Sequence, residues 1–256
     1  MVVASLSAIE THYVTASAPG LAPYSPDHAA LLVAIELLTA LEGDFWVKLR
    51  GAGLTYSYSI RVSLDSRRIS FNLFKCGDML GAYTAAKDII TGYASGKSQM
   101  SEVDLDGAKS TVAYGIIAGT STRLGAAAVA WESCYEGKGV DYGKWLLSQV
   151  DLVTPADALH ALKRYIVPLF DPSANLAATC PTNKLDSDAE GLEGALGVHV
   201  RKLTEENLYT AFEPPSAPQR TMPLPRAGKG GHGAFSFAKQ FKCECPKCEV
   251  PPTPVL

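Results

Sequence analysis

The sequence predicts an α+β fold, with one mostly antiparallel sheet and its helices packed on one face. Three features predict it. Leu54, Tyr56, Tyr58, Ile60 and Val62 alternate with Thr55, Ser57, Ser59, Arg61 and Ser63, and the alternation resumes at Ile69, Phe71 and Leu73 after a polar turn. That is the pattern of an antiparallel hairpin with one buried face. Upstream, Leu31, Ile35, Leu38, Phe45 and Leu49 recur at steps of three, four or seven, as on one face of a helix. The element order is strand, helix, two strands, a run of helices, then strand, helix, strand, which keeps most helices apart from the strands.

Taken in order, Thr11 to Ala16 reads as a first strand closed by Pro19-Gly20. Ser25 is placed to cap the long helix, with Pro26 at its first position and Asp27 beside the positive end of the dipole. Gly43 predicts a kink or break, and Gly51 and Gly53 a stop. After the hairpin, Asp78 caps a helix with the stripe Met79, Tyr83, Ala86, Ile90 and Tyr93. Asp104 to Phe170 reads as helical, with loops at 119–120, 137–139 and 150–153. Thr154-Pro155-Ala156-Asp157 has the cap, proline and acid of a helix start. A strand at Asn175 to Cys180, a helix at Ser187 to Leu196 and a last strand at Val198 to Val200 complete the domain, which is assigned to residues 1–213. Residues 214–256 hold nine of the sixteen prolines and no hydrophobic period, and read as a disordered tail.

Composition excludes several function classes. The tail carries six Lys/Arg against two Asp/Glu, so the formal charge of -3 divides into +4 there and -7 in the first 213 residues. An acidic body argues against nucleic acid as the main partner. No uncharged apolar run approaches the ~20 residues of a membrane span. Met1 to Ile9 is apolar but lacks the basic flank of a secretory or mitochondrial signal. Six scattered cysteines suit reduced thiols in the cytosol or the mitochondrial matrix better than a disulfide framework.

Catalytic motifs are sparse. There is no His-x-x-Glu-His, His-Glu-x-x-His, P-loop or Gly-x-Ser-x-Gly, and His12, His28, His160, His199 and His232 lack partners at helical spacing. Cys243, Cys245 and Cys248 with His232 offer four zinc donors, but as one cluster rather than two separated pairs. They read as exposed thiols of a divergent C-terminus.

The informative segment is Trp46-Val-Lys-Leu-Arg50-Gly-Ala-Gly-Leu-Thr-Tyr56, which joins helix to hairpin. With Glu42-Gly-Asp-Phe-Trp46, Gly53, Phe71-Asn-Leu-Phe74 and the upstream Ala18-Pro-Gly-Leu and Tyr24-Ser-Pro-Asp27, it resembles the C-terminal half of pitrilysin-type (M16) zinc metallopeptidases. The likeness is to the presequence-protease-like branch with its fungal cytosolic relatives, and it spans residues 7–212. It implies an M16-type domain derived from a ferredoxin-like arrangement, and a cytoplasmic location, with the mitochondrial matrix as the alternative. It also implies that zinc and the general base belong to a separate N-terminal catalytic half. In that family an Arg and a Tyr of the C-terminal half reach the backbone of the peptide substrate, and these match Arg50 and Tyr56. Thr55 and Ser57 depart from the Ala and Gly usual beside that Tyr, so Tyr58 stays an alternative. From the residues alone, Arg50 is also what a helix dipole favours near its C-terminus, and Tyr56 also suits a core face. The chain is therefore expected to be non-catalytic by itself, a chamber wall for a partner half; the alternative is an inactive scaffold or peptide-binding module. In either case, apolar surface on the first strand and the long helix is expected to meet neighbouring domains.

Overall fold

The computed structural model describes residues 1–211. Six strands form one sheet: β1 (Val2–Leu6), β2 (His12–Pro19), β3 (Thr55–Ser63), β4 (Arg68–Cys76), β5 (Asn175–Pro181) and β6 (Arg201–Leu203). Their order across the sheet is β3-β4-β2-β5-β1-β6. The neighbours from β3 to β5 are antiparallel, whereas β1 runs parallel to both β5 and β6. The helices are α1 (His28–Thr39), α2 (Met79–Ala94), α3 (Glu102–Ala118), α4 (Arg123–Tyr135), α5 (Tyr142–Leu152), α6 (Pro155–Ala161), α7 (Leu185–Leu196) and α8 (Glu205–Ala211). The α+β class and the mostly antiparallel sheet agree with the sequence reading.

One face of the sheet is buried. Val14, Ala16, Ala18, Ile69, Phe71, Leu73, Leu176, Ala178 and Cys180 join the core beneath the helices. Their alternates form the other face: Tyr13, Thr15, Ser17 and Pro19 on β2; Ser70, Asn72 and Phe74 on β4; Ser57, Ser59 and Arg61 on β3; and Asn175, Ala177 and Thr179 on β5.

Several local signals act as expected. Asp78 accepts from the Gly81 amide at 2.9 Å, and Thr154 and Asp157 form a reciprocal capping box. Gly53 takes φ +74°, the left-handed turn that lets the chain reverse into β3, where a Cβ would be strained.

Other expectations are corrected. The apolar N-terminus forms β1, whose pairing with β5 and β6 is long-range and leaves no local signature. Ser25 does not cap α1. Asp27 stands at the cap, and its carboxylate is taken by the Tyr165 hydroxyl at 2.8 Å and Arg164 at 3.2 Å. The long helix breaks after Thr39, where Ala40 is extended and Glu42 has φ +64°, yet Phe45 and Leu49 beyond the break stay fully buried. The last strand lies three residues later than predicted, and α8 was not foreseen. The first predicted strand is central rather than peripheral, and eight of the twelve α1 residues are buried. Among the described residues, exposed large apolar side chains are numerous on α3 and α4, among them Tyr114, Ile117, Leu124, Trp131 and Tyr135.

The Phe45 ring meets Tyr58 edge-on at 5.4 Å and Phe71 at 6.0 Å. Phe45→Ala should therefore lower the unfolding free energy by about 3–5 kcal/mol, read from urea denaturation. A loss below 1 kcal/mol would show that this packing is not needed.

Candidate functional site

The segment singled out in the sequence forms a widened helical turn over Trp46–Gly51. It ends at the left-handed Gly53, where the Gly53 amide bonds back to the Arg50 carbonyl and the Leu54 amide to the Leu49 carbonyl, both at 2.9 Å, the bond pair of a Schellman cap. Leu49 points into the core, so the neighbouring Arg50 is turned outward.

The structure brings Arg50 and Tyr56 together. The Arg50 guanidinium carbon lies 4.4 Å from the centre of the Trp46 ring and 5.6 Å from that of Tyr56, a cation held between two aromatic faces. Tyr56 is 63% exposed. Asp44, the closest acid in sequence on that segment, is already engaged by Lys48 at 3.0 Å and by the Tyr93 hydroxyl at 3.0 Å. The guanidinium donors are thus aimed at solvent without a carboxylate partner among the described residues.

Tyr58 differs. Its ring packs on Phe45, and burial pushes its phenol above the ordinary value, an effect that the Arg50 charge partly offsets. Tyr56, expected on the core face with Tyr58 and Ile60, leaves it. Lys75 at φ +54° inserts an extra residue into β4, and Cys76 and the paired Thr55 are buried instead. Thr55 is held there by hydrogen bonds from its hydroxyl to the Ser57 and Phe74 carbonyls at 3.0 and 3.1 Å. Trp46 was not singled out as a site residue. Its signal was its i,i+4 spacing to Arg50.

The described histidines do not converge. His12 is buried between the Cys76 carbonyl at 3.0 Å and Asp188 at 2.9 Å, and joins β2 to α7. Near it, the Cys180 thiol is pushed up to about 11 by burial and by Asp188, so it stays protonated. His28 is buried against the Tyr142 hydroxyl at 2.6 Å. His199 is exposed and paired with Glu193 at 2.8 Å. Among the described residues, no three His, Cys, Asp or Glu side chains are arranged to hold a metal ion, so these donors do not fit zinc. His232, Cys243, Cys245 and Cys248 lie outside the described residues, as does the expected tail. No helix among the described residues is long and apolar enough to cross a membrane.

Comparison places this geometry in a known fold. No family model matches the chain. An uncharacterized protein of Saccharomyces cerevisiae is 28% identical over 188 residues, covering 72% of this chain and 18% of its own length. One from Schizosaccharomyces pombe is 27% identical over 194 residues, covering 74% and 19%. The chain thus spans under a fifth of the length of these curated relatives. Among solved structures, a protease from Helicobacter pylori superposes with a TM-score of 0.59 at 12% identity, over 70% of this chain and 44% of that one. The inactive peptidase domain of a protein described as a zinc protease, from Bordetella parapertussis, gives 0.56 at 19% identity, over 68% and 93%. The periplasmic protease PqqL from Escherichia coli gives 0.54 at 17%, over 71% and 20%. The fold is that of M16-type peptidase domains.

Burial, with a smaller contribution from Lys138, lowers His28 from 6.5 to about 4. The unfolded chain therefore takes up a proton near pH 6.5 that the folded chain refuses until about pH 4. The contribution of this site to stability is full above pH 6.5 and should fall by up to about 3 kcal/mol as pH drops through that window. Urea unfolding of His28→Asn should lose that part of the pH dependence; an unchanged slope would assign it to other groups.

Proposed function

We propose that this chain is a non-catalytic, peptide-facing wall of an M16-type zinc peptidase, acting with a separate N-terminal catalytic half that supplies the metal. The observation that carries this reading is the Trp46–Arg50–Tyr56 arrangement. An oriented guanidinium and an exposed phenol stand side by side in a domain whose fold is shared with proteases. The assignment of that half, and of the C-terminal position within a longer protein, follows the sequence resemblance. The relatives being some five times longer than the matched segment leaves room for it.

The chemistry suits backbone recognition. Arginine offers several donors in a fixed fork, suited to a peptide carbonyl or terminal carboxylate. Stacking between Trp46 and Tyr56 limits the guanidinium's freedom before substrate arrives, so less ordering entropy is lost on binding. The Tyr56 hydroxyl can donate to a carbonyl oxygen that gains negative charge during attack. No proton transfer or nucleophilic step is assigned to this chain. Its residues bind and orient, and the hydrolytic step belongs to the half that holds zinc.

The test combines the intact chain with a candidate catalytic half and follows cleavage of an internally quenched peptide. Arg50→Ala should lower kcat/KM by about 10–100-fold, the loss of one or two charge-assisted hydrogen bonds. Because Arg50 is exposed, its unfolding free energy should move by no more than about 0.5 kcal/mol. Trp46→Ala keeps the guanidinium but frees it, and should produce a smaller loss, chiefly in KM. Cleavage at the wild-type rate by Arg50→Ala would favour the alternative of an inactive scaffold.

A further inference from the structure

The sheet face opposite the helices has a composition that the core does not explain. From β3 across β4 and β2 to β5 its outward positions carry Ser57, Ser59, Ser70, Asn72, Thr15, Ser17, Asn175 and Thr179, with Arg61 and Arg68 and no Asp or Glu. Residues 1–213 as a whole carry seventeen Lys/Arg against twenty-four Asp/Glu. A cationic face on an acidic body is a segregation of charge, and charge segregation sets which ligands approach.

The face is also shaped. One concavity of about 370 Å³ is lined by Ser57, Ser59, Arg61, Ser70, Asn72 and Phe74. A second, of about 550 Å³, lies on the far side of β2, where Thr15, Ser17, Asn175 and Ala177 meet the end of β6. Between them Thr15 donates to Asn72 at 3.0 Å, and Arg68 donates to Ser17 at 2.9 Å. The polar side chains are therefore held in fixed positions and still have unused donors and acceptors for a peptide backbone. Phe74, 46% exposed and edge-on to Tyr13 at 5.2 Å, supplies an apolar patch beside them. Arg61 is exposed and forms no ion pair among the described residues; Asp65 in the adjoining turn is engaged by the Ser63 hydroxyl.

We infer that this face binds extended peptide segments bearing acidic side chains, with Arg61 and Arg68 as the residues that select them. The inference rests on the reading of the chain as a peptide-facing wall and adds the class of peptide. Arg61 follows Tyr56 by five residues on β3, a distance of about 17 Å in extended chain. A peptide lying along β3 with its backbone at Arg50 and Tyr56 would thus place a side chain some five residues further on at Arg61. A long nucleic acid is disfavoured because the net charge of the whole body opposes a polyanion at longer range.

The intact 256-residue chain would be titrated, by fluorescence anisotropy, with two fluorescein-labelled ten-residue Gly/Ser/Ala peptides, one carrying four Glu and the other four Lys. The Glu peptide should bind at least ten-fold more tightly, and the preference should shrink in 0.5 M salt. Arg61→Glu should remove about ten-fold of that affinity and Arg61→Gln part of it. Arg123→Glu, on α4, should leave it unchanged. Equal binding of the two peptides would overturn the inference. So would a preference that survives Arg61→Glu, as binding by the basic residues after 213 would, or a short single-stranded RNA that outcompetes the Glu peptide. Charge-selective binding without any support of cleavage in the reconstituted assay would sink the peptidase reading alone. Cleavage that needs Arg50 but shows no charge preference would sink this one alone.

Discussion

The Phe45 ring, wedged between Tyr58 and Phe71 with no exposure, is the contact on which the candidate site depends. Helix α1 has already ended at Thr39, so nothing in its hydrogen-bond ladder carries over to the next segment. What holds Trp46–Gly51 in place is burial of Phe45 and Leu49, two apolar anchors on either side of Trp46. With both in the core, the residues between and beside them have one direction left, outward. That is why Arg50 is presented to solvent, and why Trp46 and Tyr56 are near enough to flank it. Hydrophobic burial fixes the backbone, and the backbone aims the charge.

The same division of labour holds for the sheet. Its inner face, with Val14, Phe71, Leu73 and Leu176, supplies the stabilising burial. The outer face is then free of packing demands, and its side chains need satisfy only each other and solvent. A half-buried antiparallel sheet is compatible with such an exposed polar face. Here that face lacks carboxylates and keeps two arginines, a pattern that core packing does not require.

Much of this was legible in one dimension. The hairpin, the Asp78 cap, the Thr154–Asp157 capping box, the left-handed Gly53 and the break near Gly43 rest on neighbours a few residues apart. Arg50 was linked to Tyr56 by the family resemblance of the 46–56 segment, since its spacing alone also fits a dipole-favoured Arg and a core Tyr. The role of Trp46 was present as an i,i+4 step but had no weight until the guanidinium was seen on its ring. His28 was illegible: its partner Tyr142 lies 114 residues away, and its burial comes from helices that meet only in the folded chain.

By itself, then, the sequence determined the α+β class and most element boundaries, since periodicity, caps and left-handed positions are properties of short stretches. Only the tertiary structure decided that β1 pairs in parallel between β5 and β6, and that α1 is packed within the domain. It also decided that Tyr56 leaves the core face while Tyr58 stays on it. Those outcomes turn on long-range pairing and on one inserted residue, Lys75, that shifts β4 against β2. Local patterns state which side chains prefer burial; which of them the fold has room to bury is settled only when the strands meet.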